Sequence, residues 1–302
     1  MDRFEALAAL LAQRCGTLEV RNEEPMSRHT TFRIGGPAAL MALPRTAGEA
    51  KAAVRAAREL DIWPFFLGNG SNLLVPDEGY RGFVVKLCGL DQTREVNRRL
   101  WAESGISLAR LANAALGRGL TGLEFAHGIP GSLGGAVVMN AGAYGGEMAQ
   151  VLTSVTALDL NGNIQTIPAE HCGLGYRKSI FSDGQRLVLE ARFQLNSGDP
   201  EAIRARMDEL AAKRKEKQPL EYPSAGSMFK RPEGYFAAAL IDQCGLKGLS
   251  VGGAQVSEKH AGFVVNRGGA TCSDVLELVE RVRARVLAET GVELEMEVRV
   301  LR

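Results

Sequence analysis

Glycine, serine and asparagine crowd into three segments of this chain. They are Phe32-Arg-Ile-Gly-Gly-Pro-Ala38, Gly68-Asn-Gly-Ser-Asn72, and Gly128-Ile-Pro-Gly-Ser-Leu-Gly-Gly135 running into Met139-Asn-Ala-Gly-Ala-Tyr-Gly-Gly146. Glycine lets the backbone approach a ligand closely and turn its amides toward an anion, forming a nest. Ser71, Asn72 and Ser132 add side-chain donors, and Pro130 is placed to open a short helix whose N-terminus faces a pyrophosphate. Tight turns between short strands would use the same residues, and for the second segment alone the two readings stand even. Three such segments together favour a dinucleotide cradle. It is not the Rossmann cradle: Leu73 stands where the third glycine belongs, and a strand pattern rather than a helix follows. No loop ends in Gly-Lys-Ser/Thr, so the ATPase phosphate loop is absent too. These residues imply an anionic cofactor held by non-Rossmann glycine loops, and nothing narrower.

Helices and short strands must position these loops. Met1 to Arg14, with Asp2 and Glu5 ahead of an Ala/Leu run, reads as an amphipathic helix rather than a signal peptide, which would be basic there. Thr46-Ala-Gly-Glu49 is a capping box opening a helix through Leu60. Phe65-Phe66-Leu67 and Leu73-Leu74-Val75 flank the second glycine segment as strands. Short β-rich runs follow at Gly82–Leu87, Leu152–Leu160, Ile164–Ile167 and Leu187–Leu195, with Asn161-Gly162 as a hairpin turn and one helix at Leu108–Leu116. Asp199-Pro200 starts the next helix as N-cap and first residue, and Pro219 lies beyond its end. A last helix spans Ser273–Thr290, with Val275, Leu276, Leu278, Val279, Val282, Val286 and Leu287 on one broad face. A terminal strand, Glu293–Leu301, alternates Leu294, Met296, Val298 and Val300 with charged residues. The fold class is α+β, dividing near residue 200 and more weakly near 80.

Composition removes other classes. Hydrophobic residues at 45% and charged residues at 24% belong to a folded protein, and a net charge of +1 supplies no field for nucleic acid or anionic membrane. No apolar stretch is long enough to span a bilayer. Five scattered cysteines (Cys15, Cys88, Cys172, Cys244, Cys272) without Cys-x-x-Cys spacing, and four histidines without ligand spacing, argue against a disulfide framework or a metal site. They fit a reducing, cytoplasmic compartment.

The glycine segments together resemble the FAD-binding region of vanillyl-alcohol-oxidase-type flavoproteins. More narrowly, they resemble the UDP-N-acetylenolpyruvoylglucosamine reductase family. The resemblance begins at His29-Thr-Thr-Phe-Arg-Ile34 and continues through Gly175-Tyr-Arg-Lys-Ser179, Pro223-Ser-Ala-Gly-Ser-Met-Phe-Lys230, Gly253-Ala-Gln-Val-Ser-Glu-Lys-His-Ala261 and Leu294-Glu-Met-Glu-Val298, covering nearly the whole chain in order. It implies two small α+β subdomains clasping FAD, 1–83 and 84–199, and a substrate-binding domain, 200–302, whose last strand is free to pack back toward the FAD region. FAD, non-covalent, is then expected along Ile34, Gly35 and Gly36; Gly68, Asn69, Gly70, Ser71 and Asn72; Gly128, Pro130, Gly131, Ser132, Gly134 and Gly135; and Asn140, Gly142 and Ala143.

The implied reaction has two halves. NADPH reduces the flavin, which passes hydride to the enolpyruvyl methylene carbon of UDP-N-acetyl-3-O-(1-carboxyvinyl)-glucosamine. The product is UDP-N-acetylmuramate, a peptidoglycan precursor. By resemblance, Arg177 and a protonated Glu297 stabilise the enolate and Ser227 protonates its α-carbon. Taken singly, each has an ordinary reading: a solvated hairpin arginine, a turn serine, a carboxylate on the wet side of a strand. The surrounding motifs reverse that preference. Tyr144, Lys217, Lys230, Gln255 and His260 match substrate contacts, while His260 stands where some relatives carry an amide and Arg231 replaces an asparagine. The short stretch from Tyr176 to Pro200 leaves no room for the tyrosine-bearing loop of one subtype, so the chain resembles the other. The protein is expected to act as a monomer on a nucleotide sugar, without metal, membrane or nucleic acid. Two competing readings are a flavin oxidase of the same superfamily, with His127 the candidate for covalent attachment, and a non-enzymatic nucleotide-sugar binder.

Overall fold

In the computed structural model, which describes residues 2–96 and 99–302, the chain passes repeatedly between two units. One unit gathers Met1–Glu23, Ala39–Asn69 and Gly82–Ala212; the other gathers Glu24–Ala38, Gly70–Arg81 and Lys213–Arg302. The second glycine segment therefore straddles a boundary, with Gly68 and Asn69 in the first unit and Gly70 to Asn72 in the second.

The first unit is built on two sheets. A four-stranded sheet has the order Glu19–Pro25, Pro37–Leu43, Tyr80–Lys86, Pro64–Leu67, the last two strands parallel. Helices Arg3–Arg14 and Ala47–Glu59 bury Leu7, Leu11, Val54 and Ala57 in one cluster with its Phe83 and Val85. Thr46 caps the second of these helices as predicted, accepting from the Glu49 amide at 3.1 Å, while the Glu49 carboxylate takes the Arg45 amide at 2.7 Å. A five-stranded antiparallel sheet has the order Ile164–Pro168, Leu152–Asp159, Arg186–Gln194, Arg99–Glu103, Thr93–Val96. The Asn161-Gly162 hairpin forms with Gly162 at φ +84°, where a left-handed turn favours glycine. Helices Leu108–Leu116 and Leu133–Val138 bury Leu111, Leu133 and Val137 with Leu100 and Phe193 of this sheet. The helix Pro200–Lys217 starts in this unit, its Ile203 and Met207 packed with Ala112 and Leu116.

The second unit has an antiparallel sheet of order Ser224–Ser227, Phe263–Asn266, Ala254–Val256, Ser250–Val251. The long helix Cys272–Thr290 buries Val275, Leu278, Val279, Val282 and Val286 in a cluster that includes Phe32, Ile34 and Leu74. Gly291 ends it in the left-handed conformation, φ +72°. The predicted apolar face is narrower than expected: Leu287 is 48% exposed, one position beyond the buried stripe. The N-terminus of this helix is capped twice. Thr271 and Asp274 form a capping box, and Asp77 accepts from the amides of Cys272 (2.7 Å) and Ser273 (3.1 Å).

The expected terminal strand is not continuous. Leu294 and Val298 are buried as the alternation predicts, but only Arg299–Val300 forms a strand, parallel to Leu73–Leu74, with an isolated bridge from Met296 to Phe229. Two short partners, 227–230 and 72–74, share this segment where one long partner was expected.

Candidate active site

Within the first unit, the turn Gly128–Gly135 enters the helix Leu133–Val138. The helix begins after Ser132 (φ −92°, ψ 159°), so Pro130 lies upstream and does not open it. This corrects the sequence expectation; the first-turn amides of Leu133 and Gly134 donate instead to Ile106 O (2.9 Å) and Ser104 O (2.7 Å). Ser132 holds the N-cap position yet makes no cap bond, and its hydroxyl is buried with no partner among the described residues. A Cβ added at Gly68 would sit 2.1 Å from that hydroxyl, which would have to turn away to admit it. Asn69, beside it, accepts a 3.5 Å contact from the Cys88 thiol, whose pKa burial raises. Gly134 is demanded by packing, its Cβ position 3.0 Å from Ser104 Cβ. Gly135 is not: it is exposed, and the nearest atom to its Cβ position is Ser132 Oγ at 3.6 Å. An unsatisfied serine hydroxyl, packed glycines and one glycine open on its outer side fit the phosphate and hydroxyl oxygens of FAD.

This turn is tied to Arg177. Asn140, buried at φ +42°, accepts from Ala149 N–H (2.9 Å) and donates to Gly175 O (3.3 Å). The Ser179 and Ser182 hydroxyls donate to Val138 O, the last helical residue, at 2.8 and 3.1 Å. Gly175 and Lys178 close a tight turn with reciprocal backbone bonds of 3.0 and 3.2 Å, leaving Tyr176 and Arg177 at its tip. Arg177 has φ +56°, a left-handed conformation disfavoured for a side chain with Cβ. Such strain persists where the surroundings enforce it, most often at functional sites. Its guanidinium stacks 5.2 Å from the Tyr176 ring centre. Gly142-Ala143 and Gly146-Glu147 form a hairpin whose two turn residues, Tyr144 (φ +54°) and Gly145 (φ +86°), are both left-handed. Tyr144 is thereby projected outward, 42% exposed.

Within the second unit, Ile34 is buried, and Gly35 and Gly36 pack against Val75 and Asp77, leaving no space for a Cβ. Gly70 (φ +61°) packs on the His29 carbonyl, 2.2 Å from its Cβ position, and accepts from Thr31 N–H at 3.2 Å. A buried pair invisible in sequence supports both: His29 Nε2 and Glu24 Oε1 lie 2.8 Å apart, bracketing a turn whose Met26 and Ser27 amides donate to Gly36 O (3.0 Å) and Gly35 O (3.3 Å).

Ser227 ends a strand with an extra residue. Ser224 pairs with Val265 and Ser227 with Phe263, so three steps on one strand match two on the other, and Gly226 takes φ +81°. This bulge turns Ser227 to the exposed side and ends regular pairing there. Glu297 follows directly across: its N–H donates to Met228 O (2.9 Å), and Lys230 N–H donates to Glu295 O (2.8 Å). Asn72 Nδ2 donates to Glu297 O at 3.1 Å. Lys230 pairs through its ammonium with Glu295. Gln255 donates to Gly248 O (3.2 Å) and Ser250 Oγ (3.1 Å). His260 accepts from Gly262 N–H at 3.2 Å, and burial, with the Lys247 charge adding to it, holds its pKa below the usual imidazole value. Lys217 is exposed at the end of its helix. His127, the candidate for covalent flavin, has a buried Nδ1 with no partner among the described residues.

Similarity to known proteins agrees with this division of parts. Residues 38–168 match an FAD binding domain, and residues 218–301 match the C-terminal domain of UDP-N-acetylenolpyruvoylglucosamine reductase. UDP-N-acetylenolpyruvoylglucosamine reductase of Clostridium novyi is 51% identical over 94% of this chain and 92% of its own length. That of Clostridium botulinum strain Hall is 49% identical over 100% of this chain and 98% of its own. The crystal structure of UDP-N-acetylenolpyruvylglucosamine reductase from Thermus caldophilus superposes with a TM-score of 0.81 at 40% identity, covering 94% of this chain and 99% of that one. With an FAD binding domain and the reductase's C-terminal domain matched in order and relatives aligned from end to end, the chain belongs to the UDP-N-acetylenolpyruvoylglucosamine reductase family.

Proposed function

We propose that this protein reduces the enolpyruvyl ether of UDP-N-acetylglucosamine to the lactyl ether, UDP-N-acetylmuramate, at the expense of NADPH. FAD, when bound, carries hydride from the nicotinamide to the methylene carbon of the substrate. The residues of this chain do the rest. The Gly131–Gly135 turn and the Gly35-Gly36 and Gly68–Asn72 segments hold the dinucleotide, with 1–83 and 84–199 as its two clasping subdomains and 200–302 as the substrate domain. Arg177 offers a planar fork to the substrate carboxylate, on which charge gathers after hydride addition. Glu297, protonated, donates a hydrogen bond to the same charge, and Ser227 gives its hydroxyl proton to the α-carbon. Tyr144, Lys217, Lys230, Gln255 and His260 contact the sugar nucleotide. The reaction belongs to the cytoplasm, where the free cysteines stay reduced, and one polypeptide suffices for it.

The observation that carries this reading is the bulge at Gly226. A strand that packs regularly gains nothing from an extra residue, whereas a hydroxyl that must face a ligand beside Glu297 does. The test is Ser227→Ala, followed by rapid mixing of each half-reaction. Flavin reduction by NADPH should persist, while reoxidation by the enolpyruvyl nucleotide should slow by about 10²–10⁴-fold, the scale of a positioned acid. Ser227→Cys should retain part of that rate. Near-normal reoxidation in Ser227→Ala would remove this hydroxyl from the mechanism.

A further inference from the structure

The peptide of Glu297 is gripped from two sides. On one side its N–H donates to Met228 O at 2.9 Å, next to Ser227. On the other, its C=O accepts from Asn72 Nδ2 at 3.1 Å, and two residues on Arg299 N–H donates to Asn72 O at 3.2 Å. Leu301 N–H then donates to Leu74 O at 2.9 Å, continuing the parallel pairing of Arg299–Val300 with Leu73–Leu74.

The register makes the Asn72 contact unusual. With Arg299 opposite Leu73, a parallel ladder extended by one step would have the backbone N–H of Asn72 donate to Glu297 O. The side-chain amide of Asn72 makes that bond instead. Asn72 thus completes the ladder with its side chain and leaves its own backbone N–H outside it. That is where the chain leaves the strand for the glycine segment Gly70-Ser71. An asparagine can do this because its short amide mimics a backbone unit.

Resting on the proposed reaction, we infer that Asn72 is a positioning residue for Glu297. Its side chain holds the Glu297 peptide in register beside Ser227 and couples the carboxyl to the cofactor loop. The sequence places Asn72 in the cofactor segment; in the structure one of its amide N–H groups donates to Glu297 O, which leaves the other N–H and the Oδ1 for that segment. Gly70 and Ser71 stay in the cofactor segment, and Asn72 is the joint between that segment and the acid.

Three holoenzyme variants test this. Asn72→Asp keeps the shape but cannot donate, Asn72→Ala removes the group, and Asn72→Ser keeps a shorter donor. Reoxidation of reduced flavin by the enolpyruvyl nucleotide should fall about 10–100-fold in Asp and Ala, the effect of a small displacement at a reacting centre, with partial recovery in Ser. Reduction by NADPH should fall far less, so that the ratio of the two rates changes. Hydrogen exchange of the peptide covering 295–301 should quicken in Asp and Ala, with or without flavin. That arm reads the contact independently of substrate, and wild-type reoxidation reads the reaction itself. Unchanged exchange at 295–301, or equal loss in both half-reactions together with flavin loss, would overturn the assignment and return Asn72 to the cofactor.

Discussion

At Gly135 the proposed cofactor contact can be tested separately from folding. It lies in the first turn of Leu133–Val138 and is exposed, with no atom nearer than 3.6 Å to its Cβ position. Alanine there meets no steric penalty in the protein alone and removes the entropy that glycine loses on entering a helix. The apoprotein of Gly135→Ala should therefore be more stable by about 0.5–1 kcal/mol. If FAD backs onto this turn, the new methyl occupies space the cofactor needs. Overpacking of one methyl costs about 1–3 kcal/mol, so flavin affinity should fall roughly 5–150-fold. The two effects have opposite signs, which no general loss of structure can imitate. Gly134→Ala is the control: its Cβ would lie 3.0 Å from Ser104 Cβ, so the apoprotein itself should lose stability. Urea unfolding of the flavin-free proteins gives the first quantity, and quenching of flavin fluorescence gives the second. A Gly135→Ala protein that is stabilised yet binds FAD as tightly as wild type would show that the cofactor does not approach this turn.

Arg177→Lys should slow reoxidation by substrate while leaving flavin reduction largely intact, because one ammonium cannot reproduce the planar fork; equal losses in both half-reactions, by stopped flow, would indicate a structural role. His260 is held below the ordinary imidazole value, chiefly by burial, so KM for the nucleotide should show no histidine midpoint between pH 6.5 and 8. An inflection in that range that disappears in His260→Gln would contradict this. Asp274 accepts from Thr271 N–H at 2.9 Å, the bond that chiefly lowers its pKa. Asp274→Asn should cost about 1 kcal/mol at pH 7, the usual value of a helix cap. Since the folded-state pKa is the depressed one, that difference is fully present above the unfolded carboxyl value of 3.8 and vanishes as pH falls through the folded one; denaturant midpoints at pH 7 and pH 3 measure it, and an equal difference at both would refute it.

Local features were legible because local physics decides them. Thr46, Asn161-Gly162, Asp199-Pro200 and Gly291 all do what their chemistry predicts, since a cap or a left-handed turn needs only its neighbours. The glycine segments stood out because positions such as Gly35, Gly36 and Gly70 leave no space for a Cβ. The misreadings came where distant chain decides. Pro130 stays outside the helix, and the amides of Leu133 and Gly134 are claimed by Ile106 and Ser104 in the turn after Arg99–Glu103. Glu293–Leu301 alternates like one strand, yet its partners change from 227–230 to 72–74 along its length, which periodicity cannot register. Leu287 falls one step past the stripe that the core covers. The Glu24–His29 pair carried no signal, because a lone glutamate and a lone histidine in sequence do not announce their burial. Arg177 likewise gave no warning of positive φ, a conformation its residue type rarely takes without enforcement.

The discontinuity of the two units has a consequence for how the chain is made. Gly70–Arg81 leaves the ribosome early, but its partners are Cys272, Ser273, Arg299 and Leu301, at the far end of the chain. At synthesis rates of roughly 5–20 residues per second, that segment waits some tens of seconds for its neighbours. Meanwhile Phe32, Ile34 and Leu74, fully enclosed in the finished protein, have nothing to bury against and are targets for chaperones. Pairing across such separations is slow because loop closure precedes any gain from contact. The residues of this segment are therefore among the last to be ordered during biosynthesis. A chain stopped short of Arg299 would lack the strand that pairs with Leu73-Leu74.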